Sequence, residues 1–346
     1  MKTELAIIGQ GIVSPAGLGS DALLHGEPAE TMVPFVSRPG QAWPVFKVDL
    51  KAAAFARWQK EPRLRRASPI SYFLVEAAEQ ALSNIGESER AQTGLIVAFS
   101  TGCLVYSRRL FETVVKQGQK AASPALFPET VFNSPVSHVA STLRLEGAAY
   151  SLAGDETAWV AALKTAWLWL ERERVKQVLV LGAEEFDSAI LDAYRCAGWL
   201  KPQESARRFI PAEGAAGLLV RRALPHDAKV ITQLEDGLIY TSQKEARAAA
   251  VRCLDYFDPA MPAVISTQHN WANHLETTLL ANRAIKPLPE TKQVYWGEAS
   301  TASMAWNTVR TATALNLDRP RILFPVFGSN HQVAALAMEN RTSIAN

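Results

Sequence analysis

The sequence lacks several features that would assign it to a specialised class of protein. Only three cysteines occur among its 346 residues, Cys103, Cys196 and Cys253, and their spacing fits neither a disulfide framework nor a zinc site. No apolar run reaches the length of a membrane span or continues into a signal-peptide cleavage site. We therefore expect a soluble, cytoplasmic protein without a membrane span.

The chain also lacks a strong excess of charge. It has 36 Lys and Arg residues against 34 Asp and Glu residues, a formal net charge of +2, and its basic residues are dispersed. This pattern argues against a nucleic-acid-binding surface and against a polybasic membrane anchor. Its partners are expected to be proteins or small molecules.

What the sequence does contain is an alternation of apolar runs of strand length with segments of helical period. This pattern is typical of parallel sheets covered by helices, so the fold class is predicted to be α/β. Nine strand candidates imply more than one sheet. They are Leu5–Val13, Gly94–Ala98, Gln177–Leu181, Ala216–Val220, Lys229–Ile239, Ala263–Ser266, Gln293–Trp296, Arg321–Phe327 and Gln332–Met338.

Two segments show the clearest helical patterns. Between Ile70 and Ala81 apolar residues recur at i, i+3 and i+4, which predicts one buried face with Glu76, Glu79 and Gln80 outside. The run from Thr157 to Leu170 is apolar almost all round, which predicts a helix buried between two layers.

The positions of turn-forming residues suggest that the chain has two halves. Pro225 and polar residues separate two strand candidates, so we place the boundary there, giving residues 1–224 and 225–346. The stretch from Pro28 to Ala53 has several prolines and no sustained period, and it is predicted to be a long irregular insertion.

Five segments, in this order, resemble the β-ketoacyl synthase family. They are IIGQGIVSPAGLG, SPALFPETVFNSPVSHVASTLRLEGAAYSLAGDETAWVAAL, QVLVLGAEE, FIPAEGAAGLLV and FPVFGSNHQVAALAM. The resemblance covers most of the chain. It implies a thiolase-like fold in which two similar α/β halves pack in five layers and the chains assemble as dimers.

The resemblance also locates a catalytic site that has been altered. In the family a nucleophilic cysteine begins the buried helix, where the helix N-terminus lowers the pKa of the thiol. Glu156 occupies that position here. Of the two family histidines, the first corresponds to His269 and the second is replaced by Glu298. A carboxylate cannot hold an acyl chain as a thioester, so the chain is not expected to form carbon–carbon bonds by itself.

If Glu156 and Glu298 meet in one buried site, we expect at least one raised pKa, or a protonated His269 between them. The simpler alternatives are that Glu156 is a charged plug at a helix N-terminus and that His269 is a hydrogen-bonded core residue. The spacing of His269, His274 and Glu276 does not match a metal site on one helix face, so neither a metal nor a cofactor is expected.

Further residues follow from the resemblance. Trp159, Phe324, Phe327 and Asn330 are the candidates for lining a pocket or acyl tunnel. Trp159 could block that pocket or project into a partner's pocket, although packing in the core is the ordinary role of such aromatic residues.

The strand before Glu156 resembles the family's dimer-interface strand. Gly147, Tyr150 and Leu152 are therefore the interface candidates.

A subunit without the cysteine resembles the chain-length factors of type II polyketide systems. The length and the lost histidine are more similar to chain-length factors of aryl polyene pigment systems. The implied partners are a cysteine-containing β-ketoacyl synthase, as a heterodimer, and an acyl carrier protein. Two alternatives stay open: a malonyl-carrier decarboxylase or unusual condensing enzyme using Glu156 and His269, and a non-catalytic homodimer that binds an acyl carrier protein or a lipid.

Overall fold

The computed structural model describes residues 4–19, 22, 26–200, 209–264, 270–283, 285, 296–316 and 320–343. The strands in these ranges are β1 (Leu5–Ser14), β2 (Gly17–Leu18), β3 (Glu30–Pro34), β4 (Ala42–Phe46), β5 (Gly94–Phe99), β6 (Ala149–Ala153), β7 (Gln177–Glu184), β8 (Gly214–Arg222), β9 (Lys229–Ile239), β10 (Arg321–Gly328) and β11 (Gln332–Asn340). The helices are α1 (Ala56–Gln59), α2 (Pro69–Ala81), α3 (Glu87–Ala91), α4 (Leu104–Gln117), α5 (Ser134–Leu143), α6 (Ala158–Glu171), α7 (Ser188–Cys196), α8 (Gln243–Leu254), α9 (Asn270–Asn282) and α10 (Ser300–Ala314). None of these helices combines the length and the apolar character that a membrane crossing needs.

Nine of the described strands form one hydrogen-bonded sheet in the order β10-β11-β9-β1-β8-β7-β5-β6, with β2 beside β1. We call β1, β8, β7, β5 and β6 the first leaf, and β9, β11 and β10 the second leaf. Leu5 and Ala6 join the leaves because they pair with Ile231 and Val230 of β9, while β1 as a whole pairs with β8. The hairpin of β3 and β4 forms a second sheet, so the structure has more than one sheet, although every strand candidate that forms a strand belongs to the nine-stranded sheet.

The two leaves and three layers of helices stack in five layers. Helices α6 and α10 lie in the middle, where their buried side chains share one apolar cluster with strands of both leaves. Helices α2 and α5 cover the outer face of the first leaf, and α8 and α9 cover the outer face of the second. This arrangement confirms the α/β class and the thiolase-like layering.

The helical period predicted the buried apolar face of α2 correctly but placed Glu76 on the wrong side. Ile70, Phe73 and the other residues of its apolar face are buried, as predicted. Glu76 was expected outside, but it is only 5% exposed and accepts hydrogen bonds from the Trp58 indole at 2.6 Å and from Arg57 at 2.9 Å. Helix α1 covers this part of α2, a contact that helical period alone cannot reveal.

Most predicted strands occur within a few residues of their predicted bounds, and β9 has the bounds that were predicted. Of the candidate Ala263–Ser266, Ala263 forms only an isolated bridge with Leu323 and residues 265–266 lie outside the described residues, as do residues 293–295 of the candidate Gln293–Trp296. The stretch from Pro28 to Ala53 is not irregular throughout, because it contains the β3–β4 hairpin. Tertiary contacts hold this hairpin: the Trp43 indole donates to the Phe209 carbonyl at 3.0 Å.

Candidate functional site

The candidate site begins at the turn before α6, in the middle layer. Asp155 and Glu156 precede this helix and are 3% and 5% exposed. The Asp155 Oδ1 atom accepts hydrogen bonds from the Thr157 amide at 2.9 Å and from the Thr157 hydroxyl at 2.6 Å. The N-terminus of a helix favours negative charge, so two adjacent carboxylates are tolerated at this buried position.

The turn between β10 and β11 supplies the opposite wall of the site. The Ser329 amide donates to Glu156 Oε2 at 2.7 Å, and the Asn330 amide donates to Asp155 Oδ2 at 3.0 Å. Gly328 permits this approach, because a Cβ atom there would lie 2.1 Å from Asp155 Oδ2. Two consecutive backbone amides therefore bind two consecutive carboxylates.

The electrostatics of the site reflect this concentration of carboxylates. Burial raises the pKa of Asp155, and the neighbouring charge of Glu156 raises it further, against the lowering effect of the Thr157 hydrogen bonds. Burial, with a contribution from Asp155 and Glu156, raises the pKa of Tyr240 to about 12. The phenol of Tyr240 thus stays neutral over the physiological range.

Glu298 is the second carboxylate that the family resemblance assigns to the site. It is 6% exposed, its amide donates to the Ile210 carbonyl at 2.8 Å, and its carbonyl accepts from the Ala212 amide at 2.9 Å. The pKa of Tyr194 is raised by burial and then by the charges of nearby carboxylates that include Glu156 and Glu298. His269 lies outside the described residues, so the expected coupling of Glu156, Glu298 and His269 stays a prediction.

Sequence reasoning missed the role of the two acidic residues at the end of β7. Glu184 accepts hydrogen bonds from the Ser100 amide, from both the amide and the hydroxyl of Thr101, and from the Thr301 hydroxyl at 2.8 Å. Burial raises its pKa to about 7 in spite of these donors. The signal was present as two consecutive acidic residues directly after the apolar run from Val178 to Ala183.

Glu185 has a similar environment on the other face of the first leaf. It accepts hydrogen bonds from the Ser68 hydroxyl, from the Ile70 amide at 3.1 Å and from the Val105 amide at 2.8 Å. Burial raises the pKa of Glu185 to about 7, and the charge of Glu213 contributes in the same direction. Both carboxylates tie loops of the first half to the end of β7.

An aromatic cluster beside these carboxylates was also missed. Tyr194 stacks on Trp199 with 5.0 Å between ring centroids and meets Phe209 edge-on at 5.1 Å. Its members are 15 positions apart in sequence, from Tyr194 to Phe209, so no local period reveals that they pack together.

The proposed tunnel residues lie in well-packed surroundings. Trp159 is fully buried and its indole donates to the Thr308 hydroxyl at 2.8 Å, so it joins α6 to α10 and does not project towards a partner. Phe324, on β10, packs against the middle layer, whereas Phe327 packs on the opposite face of the second leaf. Asn330 takes part in the site through its backbone amide.

The interface candidates lie at the edge of the first leaf. Strand β6 pairs in parallel with β5, so that Tyr150 is opposite Ile96 and Leu152 is opposite Ala98. The other edge of β6 pairs with no strand among the described residues. Tyr150 is 52% exposed, whereas Gly147 packs against the Thr93 carbonyl, which a Cβ atom would approach to 2.4 Å.

Helix α4 is a further source of exposed apolar side chains. It has no buried residue, although its apolar residues fall on one face of the helix. Phe111 and Val115 are 68% and 65% exposed, and Phe127 and Phe132 in the segment after α4 are 60% and 48% exposed. We call Phe111, Val115, Phe127, Phe132 and Tyr150 the α4–β6 face. Exposed apolar patches of this kind mark interaction surfaces.

A comparison with protein families decides the family. The model of the β-ketoacyl synthase N-terminal domain matches residues 41–226, which is more than half of the chain. The chain belongs to the β-ketoacyl synthase family. No curated protein sequence matched it.

Solved structures show the fold of this β-ketoacyl synthase family member over nearly its whole length. A chain of the ishigamide ketosynthase/chain length factor is 19% identical, with a TM-score of 0.77, covering 97% of this chain and 99% of that one. A β-ketoacyl synthase from Burkholderia phymatum is 16% identical, with a TM-score of 0.78 and coverage of 98% and 100%. A chain of the ketosynthase ApeO in complex with its chain length factor ApeC, from Xenorhabdus doucetiae, is 15% identical, with a TM-score of 0.76 and coverage of 98% and 98%.

None of the three thiols of this β-ketoacyl synthase family member occupies the turn before α6. Burial raises the pKa of Cys103, and burial raises the pKa of Cys253 to about 12, so neither is an activated thiolate. Cys196 is exposed at the end of α7. Across the described ranges, no three His, Cys, Asp or Glu side chains are grouped as metal ligands.

Proposed function

We propose that this chain is a non-condensing chain-length factor that pairs with a cysteine-containing β-ketoacyl synthase. The main support for this proposal is the position of Glu156 and the hydrogen bond that its carboxylate accepts. It stands where the family resemblance implies a nucleophilic cysteine, at the N-terminus of the buried helix α6, and its carboxylate is bound by the Ser329 amide at 2.7 Å. A carboxylate held in this way cannot form a thioester intermediate.

The same contact argues against the decarboxylase alternative. Decarboxylation of a malonyl thioester develops negative charge on the carbonyl oxygen, and backbone amides aimed at that oxygen stabilise it. Here the amides of Ser329 and Asn330 are already bound to Glu156 and Asp155. Two further negative charges beside a developing anion would oppose the reaction.

Pairing is supported by the α4–β6 face. This face combines a strand edge that is unpaired among the described residues with exposed aromatic side chains. Exposing both to water is unfavourable, and a strand edge from a partner would cover them. The relatives whose names include a chain length factor paired with a ketosynthase have the same fold. We place the heterodimer contact on β6 and α4.

The proposal assigns product length to this face and not to Trp159. Since Trp159 is buried and bonded to Thr308, its replacement would disturb the middle layer before it could reshape a partner's tunnel. Phe132 and Tyr150 are partly exposed beside the strand edge and are the better candidates for contacting a partner's acyl chain.

An acyl carrier protein is the proposed source of substrate. Four exposed basic residues lie before and after α1 in the sequence and would attract a protein with an acidic docking face: Lys51, Lys60, Arg65 and Arg66. The finer proposals are a cytoplasmic location, consistent with three free thiols, and service in an aryl polyene system.

The test is co-expression with the cysteine-containing synthase from the same genome, followed by native mass determination and an elongation assay with malonyl-carrier protein. We expect a one-to-one complex that elongates although neither chain does so alone. Replacing Phe111 with Asp should abolish the complex, because a buried unpaired charge is costly. Tyr256→Asp is the matched control, since Tyr256 is similarly exposed at 61% but lies after α8.

Each other outcome contradicts the proposal. A stable homodimer that does not bind the synthase would favour the non-catalytic homodimer that binds an acyl carrier protein or a lipid. Carbon dioxide release from malonyl-carrier by the isolated chain, lost in Glu156→Ala, would favour the decarboxylase.

A further inference from the structure

The turn from Gly328 to Asn330 and the turn before α6 bind each other through charged side chains and backbone amides. Ser329 and Asn330 present their N–H groups in succession, at 2.7 and 3.0 Å from the oxygens of Glu156 and Asp155. The space in which a side chain of residue 328 would lie is filled by the Asp155 carboxylate. Any side chain at residue 328 would therefore have to displace the Asp155 carboxylate.

Other contacts hold the same turn from its second side. His331 has a left-handed backbone, with φ of 62°, and its carbonyl accepts a hydrogen bond from the Tyr240 amide at 3.0 Å. Such a conformation is unfavourable for residues other than glycine and persists where surrounding contacts fix it. The adjacent Thr157 hydroxyl lies 3.4 Å from Gln332 Oε1. The β10–β11 turn is thus fixed between α6 and β9.

We propose that Asp155 and Glu156 form an internal latch: the chain fills the amide donors of its β10–β11 turn with its own carboxylates and so keeps the former reaction site closed. In this view Glu156 is not merely what remained after a cysteine was lost. It has a role of its own, because its carboxylate occupies the Ser329 amide, as that of Asp155 occupies the Asn330 amide, and these donors would otherwise attract the carbonyl oxygen or carboxylate of an acyl substrate.

The chemistry of the pair supports a latch. Hydrogen bonds from amides to carboxylates are roughly twice as strong as those between neutral groups, so each bond resists opening of the turn. Opening would also leave two adjacent carboxylates, both nearly buried, without these donors, which adds a desolvation cost. The latch therefore closes the site from within, whether or not a partner is bound.

The latch can be tested by removing one carboxylate and supplying a small carboxylate from solution in its place. Glu156→Ala removes one carboxylate and leaves space and a free amide at Ser329, which formate is small enough to occupy. Glu156→Gln keeps an acceptor oxygen but removes the charge. We therefore measure amide hydrogen exchange and thermal unfolding of the full chain and both variants, in sodium formate and in sodium chloride of equal ionic strength.

We expect the Ser329 amide to be protected in the native protein and to exchange at least about tenfold faster in Glu156→Ala, with Glu156→Gln between them. Formate, but not chloride, should slow exchange at Ser329 and raise the melting temperature of Glu156→Ala, with no such effect on the native protein.

Glu213→Ala is the matched control. Glu213 is also a buried carboxylate that accepts two backbone amides, from Val48 at 3.2 Å and Phe186 at 3.0 Å, far from the β10–β11 turn in sequence. Its removal should speed exchange at Val48 and Phe186 and leave Ser329 protected. If Ser329 exchanges equally fast in the native protein and Glu156→Ala, or if formate acts no differently from chloride, the latch does not exist. Either result leaves the co-expression assay unaffected, so the latch and the pairing proposal can fail separately.

Discussion

At the scale of single residues, the contact between Gly328 and Asp155 is the tightest constraint of the candidate site. We predict that Gly328→Ala destabilises the fold by about 1–3 kcal/mol, the range for inserting a methyl group into a packed position. The Cβ atom would lie 2.1 Å from the Asp155 carboxylate, which is itself held by Thr157 and Asn330. Urea unfolding of the variant measures the loss.

Two comparisons make this result specific. Gly86→Ala should cost much less, because the nearest atom to its Cβ is Glu89 Oε2 at 3.9 Å. Adding Asp155→Ala should recover part of the stability that Gly328→Ala loses, since the colliding carboxylate is removed. Additive losses in the double variant would mean that Gly328 matters for another reason.

The carboxylates of Glu184 and Glu185 predict an unusual dependence of stability on pH. Each pKa is raised from 4.5 to about 7 by burial, so the folded state binds these protons more tightly than the unfolded state. Their contribution to the free energy of unfolding is complete below about pH 4.5 and is lost as pH rises through 7. We expect a higher free energy of unfolding near pH 5.5 than near pH 8, measured by urea unfolding at both values.

Glu185→Gln serves as the control for this prediction, because an amide cannot titrate. The difference in unfolding free energy between the two pH values should be smaller in the variant than in the native chain. Glu213, whose pKa is also raised by burial, acts in the same direction and remains in both proteins. An unchanged difference would assign the pH dependence to other groups.

At the scale of elements, the contact between α6 and α10 depends on the hydrogen bond from Trp159 to Thr308. We predict that Thr308→Val destabilises the protein by about 1–3 kcal/mol, since the buried indole N–H would lose its acceptor. Thr313→Val is the control on the same helix: its hydroxyl also donates to the carbonyl four residues earlier, but Thr313 is exposed and the Gln10 amide from which it accepts, at 3.3 Å, can bond to water instead. Equal losses in thermal unfolding would show that the indole bond is unimportant.

The elements also show what the sequence can and cannot reveal. Helix α6 follows from its continuous apolar run and the buried face of α2 from its helical period, because residues close together in the sequence determine both patterns. The β3–β4 hairpin does not, since its position depends on contacts of Trp43 and Phe46 with residues 209–211. The same holds for the site: the resemblance located Glu156, but its Ser329 donor is 173 positions away.

At the scale of the whole molecule, the two predicted halves, residues 1–224 and 225–346, contribute to one core. Strand β8 ends at Arg222 and β9 begins at Lys229, so the connection itself is a short loop. The middle layer nevertheless takes α6 from the first half and α10 from the second, and its cluster includes strands of both leaves. The start of β1 pairs with β9 across the same boundary.

This sharing predicts that neither half is a folding unit. Residues 1–224 alone would expose the face of α6 and of the first leaf that the second half covers, an apolar area too large to leave in water. We expect this fragment to lack a cooperative thermal transition, and co-expression with residues 225–346 to restore one, as judged by circular dichroism and native mass. A fragment 1–224 that is monomeric and unfolds cooperatively would instead make the boundary a true domain border. In that case α10 and the second leaf would be an added layer, and the latch between α6 and the β10–β11 turn would join two independent domains.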